Sequence, residues 1–172
     1  QRKNGSYDII GEGFNFYMNN LNASLGLSQI EKCADSVQKR KENFLYLRDN
    51  IPETFGRFVS HDEASSYYLA TLIINKTYDS LAIRQHFEKN HVQTTYHYPS
   101  LHKTEYYDQK VDMPNLDEVE DWIINLPIHQ NLTKQELKKI VEVAKYWDDS
   151  CREDLALSVD SRNTNLQKMR KK

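Results

Sequence analysis

Three histidines stand where they could do chemistry. His97 and His102 flank Tyr98-Pro99-Ser100-Leu101, and His129 follows Leu126-Pro127-Ile128. An imidazole changes charge near neutral pH and can donate, accept or ligate a metal. None of the three has H-x₃-H spacing on a helix, and no carboxylate accompanies them at ligand distance in sequence. They read as strand and loop histidines, and no metal ligand is assigned. His97 and His102 are placed to face one cleft at a strand end, where α/β sheets usually hold ligands. Gly11-Glu12-Gly13-Phe14-Asn15 carries two glycines but no third at dinucleotide-binding spacing, so it reads as a turn before an extended segment. Cys33 and Cys151 lie far apart without C-x-x-C spacing, which excludes a disulfide framework and a zinc finger and points to a reducing compartment. There is no G-x-S-x-G, no Cys–His pair at family spacing and no phosphate-binding Walker motif.

The elements that must position these residues follow from period and punctuation. Residues 1–12 read as an irregular lead-in. Leu21, Leu25, Ile30, Cys33, Val37 and Phe44 recur at helical spacing, which predicts a helix over about 20–50 with a break near Lys32–Asp35, ended by Ile51-Pro52. Tyr67 to Ile74 is β-branched and aromatic and predicts a strand. Asp79 caps a helix from Ser80 to about Lys89. Val92 to Tyr98 alternates as a second strand that Pro99 stops. Asn115 caps a helix through about Ile124, and Leu126 to His129 is a third extended stretch. Thr133 and Glu136 form a capping box opening a helix to about Asp148. Helices and strands alternating in this way make an α/β fold. The expected domains are 1–50, a dimer-face segment with a long helix; 51–149, a small α/β domain; and 150–172, a polar tail with three excess positive charges, read as mobile.

With 172 residues the chain can bury a core without staples. A formal net charge of -2 argues against a general nucleic-acid binder. No apolar run approaches a membrane span, and residues 1–5 do not read as a signal peptide, so a cytoplasmic location is expected. The N-x-S/T sequences at Asn4, Asn22, Asn75 and Asn131 read as chance occurrences.

Four segments in order carry a resemblance. Gly13-Phe14-Asn15-Phe16-Tyr17-Met18-Asn19-Asn20 followed by Ala23-Ser24-Leu25-Gly26-Leu27-Ser28-Gln29-Ile30-Glu31-Lys32 is the first. Gln38 to Tyr46 is the second, Val92 to His102 the third, and Leu126 to His129 with Leu132-Thr133 the fourth. Together they resemble the DegT/DnrJ/StrS family of sugar aminotransferases, which have the aspartate-aminotransferase-like fold of pyridoxal phosphate (PLP) enzymes. The resemblance covers roughly residues 11–147. It implies the C-terminal portion of such an enzyme: the end of the large domain and the small α/β domain. It implies PLP as cofactor, a nucleotide-linked keto sugar as substrate, glutamate as amino donor, and a homodimer or pairing with a PLP-bearing half.

Asn15 matches the family asparagine that reaches the partner's PLP phosphate. Tyr17 stands where the family has an arginine, and a phenol cannot replace the bidentate fork that suits a pyrophosphate. His97, Tyr98 and His102 match positions near the substrate cleft, and His129 matches the closing motif as a structural residue. The family's Schiff-base lysine belongs upstream of Gly13, and Lys3 lacks its sequence context, so no catalytic residue is assigned. The expected outcome is a chain inactive alone. The other reading is a non-catalytic binding or assembly partner of a PLP-bearing half or an intact homologue.

Overall fold

The structure is a computed structural model that describes residues 2–3, 6–7, 13–14, 16–107 and 111–150, the first two pairs by backbone only. It divides into two compact units, residues 1–35 and 36–172. The tail read over 150–172 lies outside the described residues beyond Ser150.

In the first unit, β1 (Arg2–Lys3) and β2 (Ser6–Tyr7) pair antiparallel, where an irregular lead-in was expected. Helix α1 (Asn20–Ile30) begins where the Asn19 carboxamide oxygen accepts the Asn22 N–H at 2.8 Å. The expected break falls at Glu31 and Lys32, after which α2 (Cys33–Asn50) begins and carries the chain into the second unit. Phe14, Phe16, Met18, Leu21, Leu25, Leu27 and Ile30 are all exposed, Phe14 by 86%.

The second unit is built on an antiparallel sheet of order β3-β4-β5: β3 (Gly56–Phe58), β4 (Ala70–Ile74) and β5 (Ile123–Leu126). Central β4 alternates as a half-covered strand should, with Ala70, Leu72 and Ile74 buried and Thr71 and Ile73 less so. Helix α3 (Ser80–Lys89) buries Ile83 and Phe87. Its Asp79 cap accepts the N–H groups of Leu81 at 2.9 Å and Ala82 at 3.3 Å. The short α4 (Pro114–Asp117) precedes β5, and α5 spans residues 134–150. The capping box forms as read: Thr133 N–H reaches the Glu136 carboxylate at 2.7 Å, and Glu136 N–H reaches the Thr133 hydroxyl at 3.2 Å. The core joins Phe44 and Leu47 of α2, Phe55, Leu72, Phe87, Ile124, and Leu137, Ile140 and Ala144 of α5. Each of these Phe, Leu and Ile side chains removed from water contributes about 1.5–3 kcal/mol. Buried Asp148 fixes the far end of α5 by accepting hydrogen bonds from Thr54 Oγ1 at 2.8 Å and Tyr78 Oη at 2.7 Å.

Several expected elements shift. The strand read from Tyr67 starts at Ala70, because Tyr67 has φ 48° and its N–H turns onto the Ser65 hydroxyl at 3.1 Å. Strand β3 was not expected. The 92–98 strand shrinks to one bridge, Thr95 with Asn125. The next hydrogen-bonded antiparallel pair on one side would need an N–H from Pro127, which has none. On the other it would need the Ile123 carbonyl, which already accepts from Arg84 Nη2 at 3.1 Å. The helix read from Asn115 to Ile124 stops at Asp117, passes through a 3₁₀ turn at Glu120–Trp122 and gives way to β5. Proline at the first helical position moves the cap from Asn115 to Met113, two residues early, and Ile123-Ile124 prefer the pleated sheet. The extended stretch read at Leu126–His129 therefore lies earlier, and Pro127 ends it. Among the described residues no helix is long and apolar enough to cross a membrane.

The close approach of β3 to β4 requires glycine at position 56. A Cβ there would stand 2.7 Å from the Ile73 carbonyl oxygen and 2.9 Å from Ile74 Cα, both fixed backbone of the paired strand. Gly56→Ala is expected to lower stability in urea unfolding by about 1–3 kcal/mol, the usual scale for overpacking.

Candidate functional site

The sequence-predicted residues His97, Tyr98 and His102 lie on one irregular segment between the Thr95 bridge and a 3₁₀ turn at Leu101–Lys103. The inner end of this segment is held by Asn125, which is 2% exposed. Its backbone exchanges both hydrogen bonds with Thr95, at 2.8 and 3.1 Å. Its carboxamide oxygen accepts from Thr71 Oγ1 at 2.7 Å, and its NH₂ group donates to the carbonyls of Thr95 at 3.3 Å and His97 at 3.5 Å. A buried amide left without partners would be costly, so these bonds fix the segment's path.

The outer end is held by charge. Buried Ser100 donates its hydroxyl to Glu120, and Lys103 pairs with both Glu120 and Asp117. His102, whose side chain is 10% exposed, brings Nε2 to 3.7 Å from Asp117 Oδ1. Hydrogen bonding to Asp117, then to Glu120, holds the Lys103 ammonium above its usual pKa. Lys103 holds both Asp117 and Glu120 below the carboxylate range, with Ser100 adding to the effect on Glu120. Between these anchors His97 and Tyr98 are exposed, joined by a cis peptide, with ring centroids 4.9 Å apart. A hydrogen bond with the Tyr68 phenol raises the pKa of Tyr98. The segment therefore presents an imidazole and a phenol outward on a braced support, with His102 turned in towards Asp117.

The other candidates fall elsewhere. Asn15 lies outside the described residues. Tyr17 is 91% exposed in the first unit. His129 is exposed, and its carbonyl accepts from buried Asn43 at 3.0 Å. It lines a separate groove of about 510 Å³ with His91, Gln93, Asn125, Glu136 and Lys139. Beyond the 3₁₀ turn, two tyrosines not among the candidates, Tyr106 and Tyr107, pack edge to face at 5.1 Å. Among the described residues no cluster of histidine, cysteine and carboxylate groups could hold a metal ion. Asn125, Glu120, Asp117 and Lys103 escaped the sequence reading, because their partners lie 14 to 54 residues away and match no short motif.

PLP needs a free amine and a carboxylate beside its pyridine nitrogen. Lys103, the lysine of this cluster, is committed to two carboxylates, and buried Asp148 is met by the Thr54 and Tyr78 hydroxyls. Neither supplies the free amine or the pyridine partner the cofactor needs.

The sequence pattern of the DegT/DnrJ/EryC1/StrS aminotransferase family matches residues 1–145. An uncharacterized protein of Methanocaldococcus jannaschii, MJ1066, is 29% identical over 157 residues, 81% of this chain and 39% of its own. The UDP-4-amino-4,6-dideoxy-N-acetyl-beta-L-altrosamine transaminase of Helicobacter pylori is 28% identical over 136 residues, 74% of this chain and 36% of its own. The crystal structure of Helicobacter pylori PseC, an aminotransferase involved in the biosynthesis of pseudoaminic acid, superposes with TM-score 0.71 at 22% identity. It covers 87% of this chain and 43% of that one, and shows the fold. The chain thus spans about two fifths of the length of the relatives it matches.

Two outcomes test the support. Asn125→Ala strands the Thr71 hydroxyl and frees the Thr95–His97 carbonyls, and should cost about 1–3 kcal/mol in urea unfolding, with faster amide exchange at Thr95. The folded pKa values of Asp117 and Glu120 are depressed, so their contribution is present above the unfolded values near 4 and lost as pH falls through the folded ones. That of Lys103 is raised, so its contribution is lost only as pH rises past the ordinary lysine value. The outer anchor should be complete between about pH 5 and 9. Carboxyl carbon shifts of both acids in an NMR titration should show midpoints below ordinary carboxylates.

Proposed function

Because the chain belongs to the DegT/DnrJ/EryC1/StrS aminotransferase family, we propose that it is the C-terminal portion of a PLP-dependent aminotransferase acting on nucleotide-linked keto sugars, with glutamate as amino donor, in cytoplasmic amino-sugar and polysaccharide biosynthesis. The observation that carries this reading is the run of four ordered motifs inside a family match over residues 1–145. Residues 1–50 would close the large domain and residues 51–149 form the small one. In a homodimer, or beside a PLP-bearing half, Asn15 would donate its amide to a phosphate oxygen of the cofactor held by the partner. An amide does this without adding charge. His97 and Tyr98 would meet the sugar substrate, and His102 would orient their segment through Asp117. Tyr17 would offer the nucleotide a phenol in place of an arginine fork, a weaker grip on a pyrophosphate. No amino-transfer step is assigned to the described residues.

A second reading, a non-catalytic assembly partner of a PLP-bearing half or an intact homologue, is favoured by one observation. The first unit leaves seven large apolar side chains between Phe14 and Ile30 exposed. Such a row suits burial against a protein surface.

The purified chain, supplied with PLP, glutamate and a UDP-linked 4-keto sugar, is expected to show no turnover. Mixed with the PLP-bearing half of a family member, it should associate and restore amino transfer. Association without turnover would favour the assembly reading. A strong protein-bound PLP absorbance from the chain alone, abolished by replacing one of its lysines, would overturn the view that the cofactor amine comes from elsewhere. A monodisperse monomer that binds no family half would remove the assembly reading.

A further inference from the structure

Away from the braced segment, α2 and α5 face one another across a groove of about 550 Å³. Its walls follow from helical spacing. Lys39, Asn43 and Tyr46 fall on one stripe of α2 at intervals of three and four. Lys134 and Lys138 stand one turn apart on α5, with Leu137 between them. The floor is apolar: Leu137 is buried and Leu132 half-buried. Asn43 seals one side, its NH₂ group spent on the carbonyls of Ile128 at 3.4 Å and His129 at 3.0 Å.

The rim is cationic. Lys39, Lys134 and Lys138 line the groove from two helices, and among the described residues none of them has an ion-pair partner. One carboxylate, Glu42, shares the wall and accepts from Gln38 at 2.8 Å, leaving an excess of two positive charges. Like charges a turn apart on a helix oppose folding, and an anion between them would reverse the sign of that interaction. The volume lies in the range of small-molecule pockets. An apolar floor under a cationic rim matches a ligand with a compact organic body and a multiply charged phosphoryl group.

We propose that the groove between α2 and α5 binds a small phosphorylated metabolite, its phosphate or pyrophosphate held by Lys39, Lys134 and Lys138 and its organic body resting on Leu132, Leu137 and the Tyr46 ring. The site is separate from the His97–His102 segment and stands whether or not the amino-transfer reading holds. The proposal gives its three ammonium groups to holding the phosphoryl group, so it is an anchoring or regulatory site and no reaction is assigned to it.

The test is titration calorimetry of the 172-residue chain with inorganic pyrophosphate and with a hexose 1-phosphate, alongside amide NMR. Saturable binding is expected, weakening as salt rises. Shifts should be centred on residues 39–46 and 130–138. Lys134→Gln with Lys138→Gln should weaken binding by about a hundredfold or more, one charge-assisted hydrogen bond lost per side chain. Lys39→Gln, on the opposite helix, should weaken it separately, and Lys145→Gln, on α5 outside the groove, should leave it unchanged. All four positions are exposed, and far-UV circular dichroism checks that each variant folds. The proposal is overturned if binding does not saturate, if sulfate binds as tightly as pyrophosphate, if Lys145→Gln weakens binding as much as the groove variants, or if the groove takes an acidic peptide and neither phosphate probe.

Discussion

Asn125 places a carboxamide inside the sheet, where an unpartnered amide would be costly, and every bond that satisfies it pulls on a different part of the second unit. Thr71 ties it to the central strand, and the carbonyls of Thr95 and His97 tie it to the irregular segment beyond the sheet edge. That segment has little else on its inner side. Pro127 offers no N–H, which stops the ladder on that side, and on the other the Ile123 carbonyl accepts from Arg84, so a single bridge forms. The side chain does the work that further strand pairing would have done. The segment then leaves the sheet as a loop, exposing His97 and Tyr98 instead of burying alternate residues as a strand would.

The outer anchor solves a different problem with different physics. Lys103, Asp117, Glu120 and Ser100 lie on short turns with little apolar surface of their own, so charge and hydrogen bonding must hold them. Ion pairs at a surface are worth little singly. Here one ammonium bridges two carboxylates and a hydroxyl meets one of them, so the pieces restrain one another. His102 faces the same carboxylate, which places the two histidines of the motif in unlike surroundings: His97 outward in water, His102 inward against Asp117.

The features legible in the sequence were those encoded over a few residues. Asp79 before Ser80 and Thr133 with Glu136 announce helix starts by local chemistry, and both form as read. The β-branched and aromatic run ending at Ile74 marks β4 in the same way, although the strand starts at Ala70. Where the sequence misled, the deciding partner was distant. The alternation of Val92 to Tyr98 is real, but whether it becomes a strand depends on residues 123 and 127. Gly56-Arg57-Phe58 has no strand signature of its own and becomes one because β4 lies beside it at a distance only glycine allows. The ordered motifs gave the family where local chemistry gave only an α/β domain, because a family constrains the whole order of segments.

The exposure of His97 and Tyr98 sets what they can contribute. In bulk water a unit charge interaction at 4 Å is worth about 1 kcal/mol, and it grows severalfold once water is excluded. Donors aimed at a ligand therefore gain most of their worth when another surface closes over them, because preorganised dipoles stabilise charge best in a dry site. The structure has already met the conformational cost: Asn125 on one side and Glu120 with Asp117 on the other hold the segment before any ligand arrives. What remains is desolvation, which the segment cannot supply for itself. A braced but open His97 and Tyr98, the phenol already bonded to Tyr68, therefore contribute most where a second surface covers them.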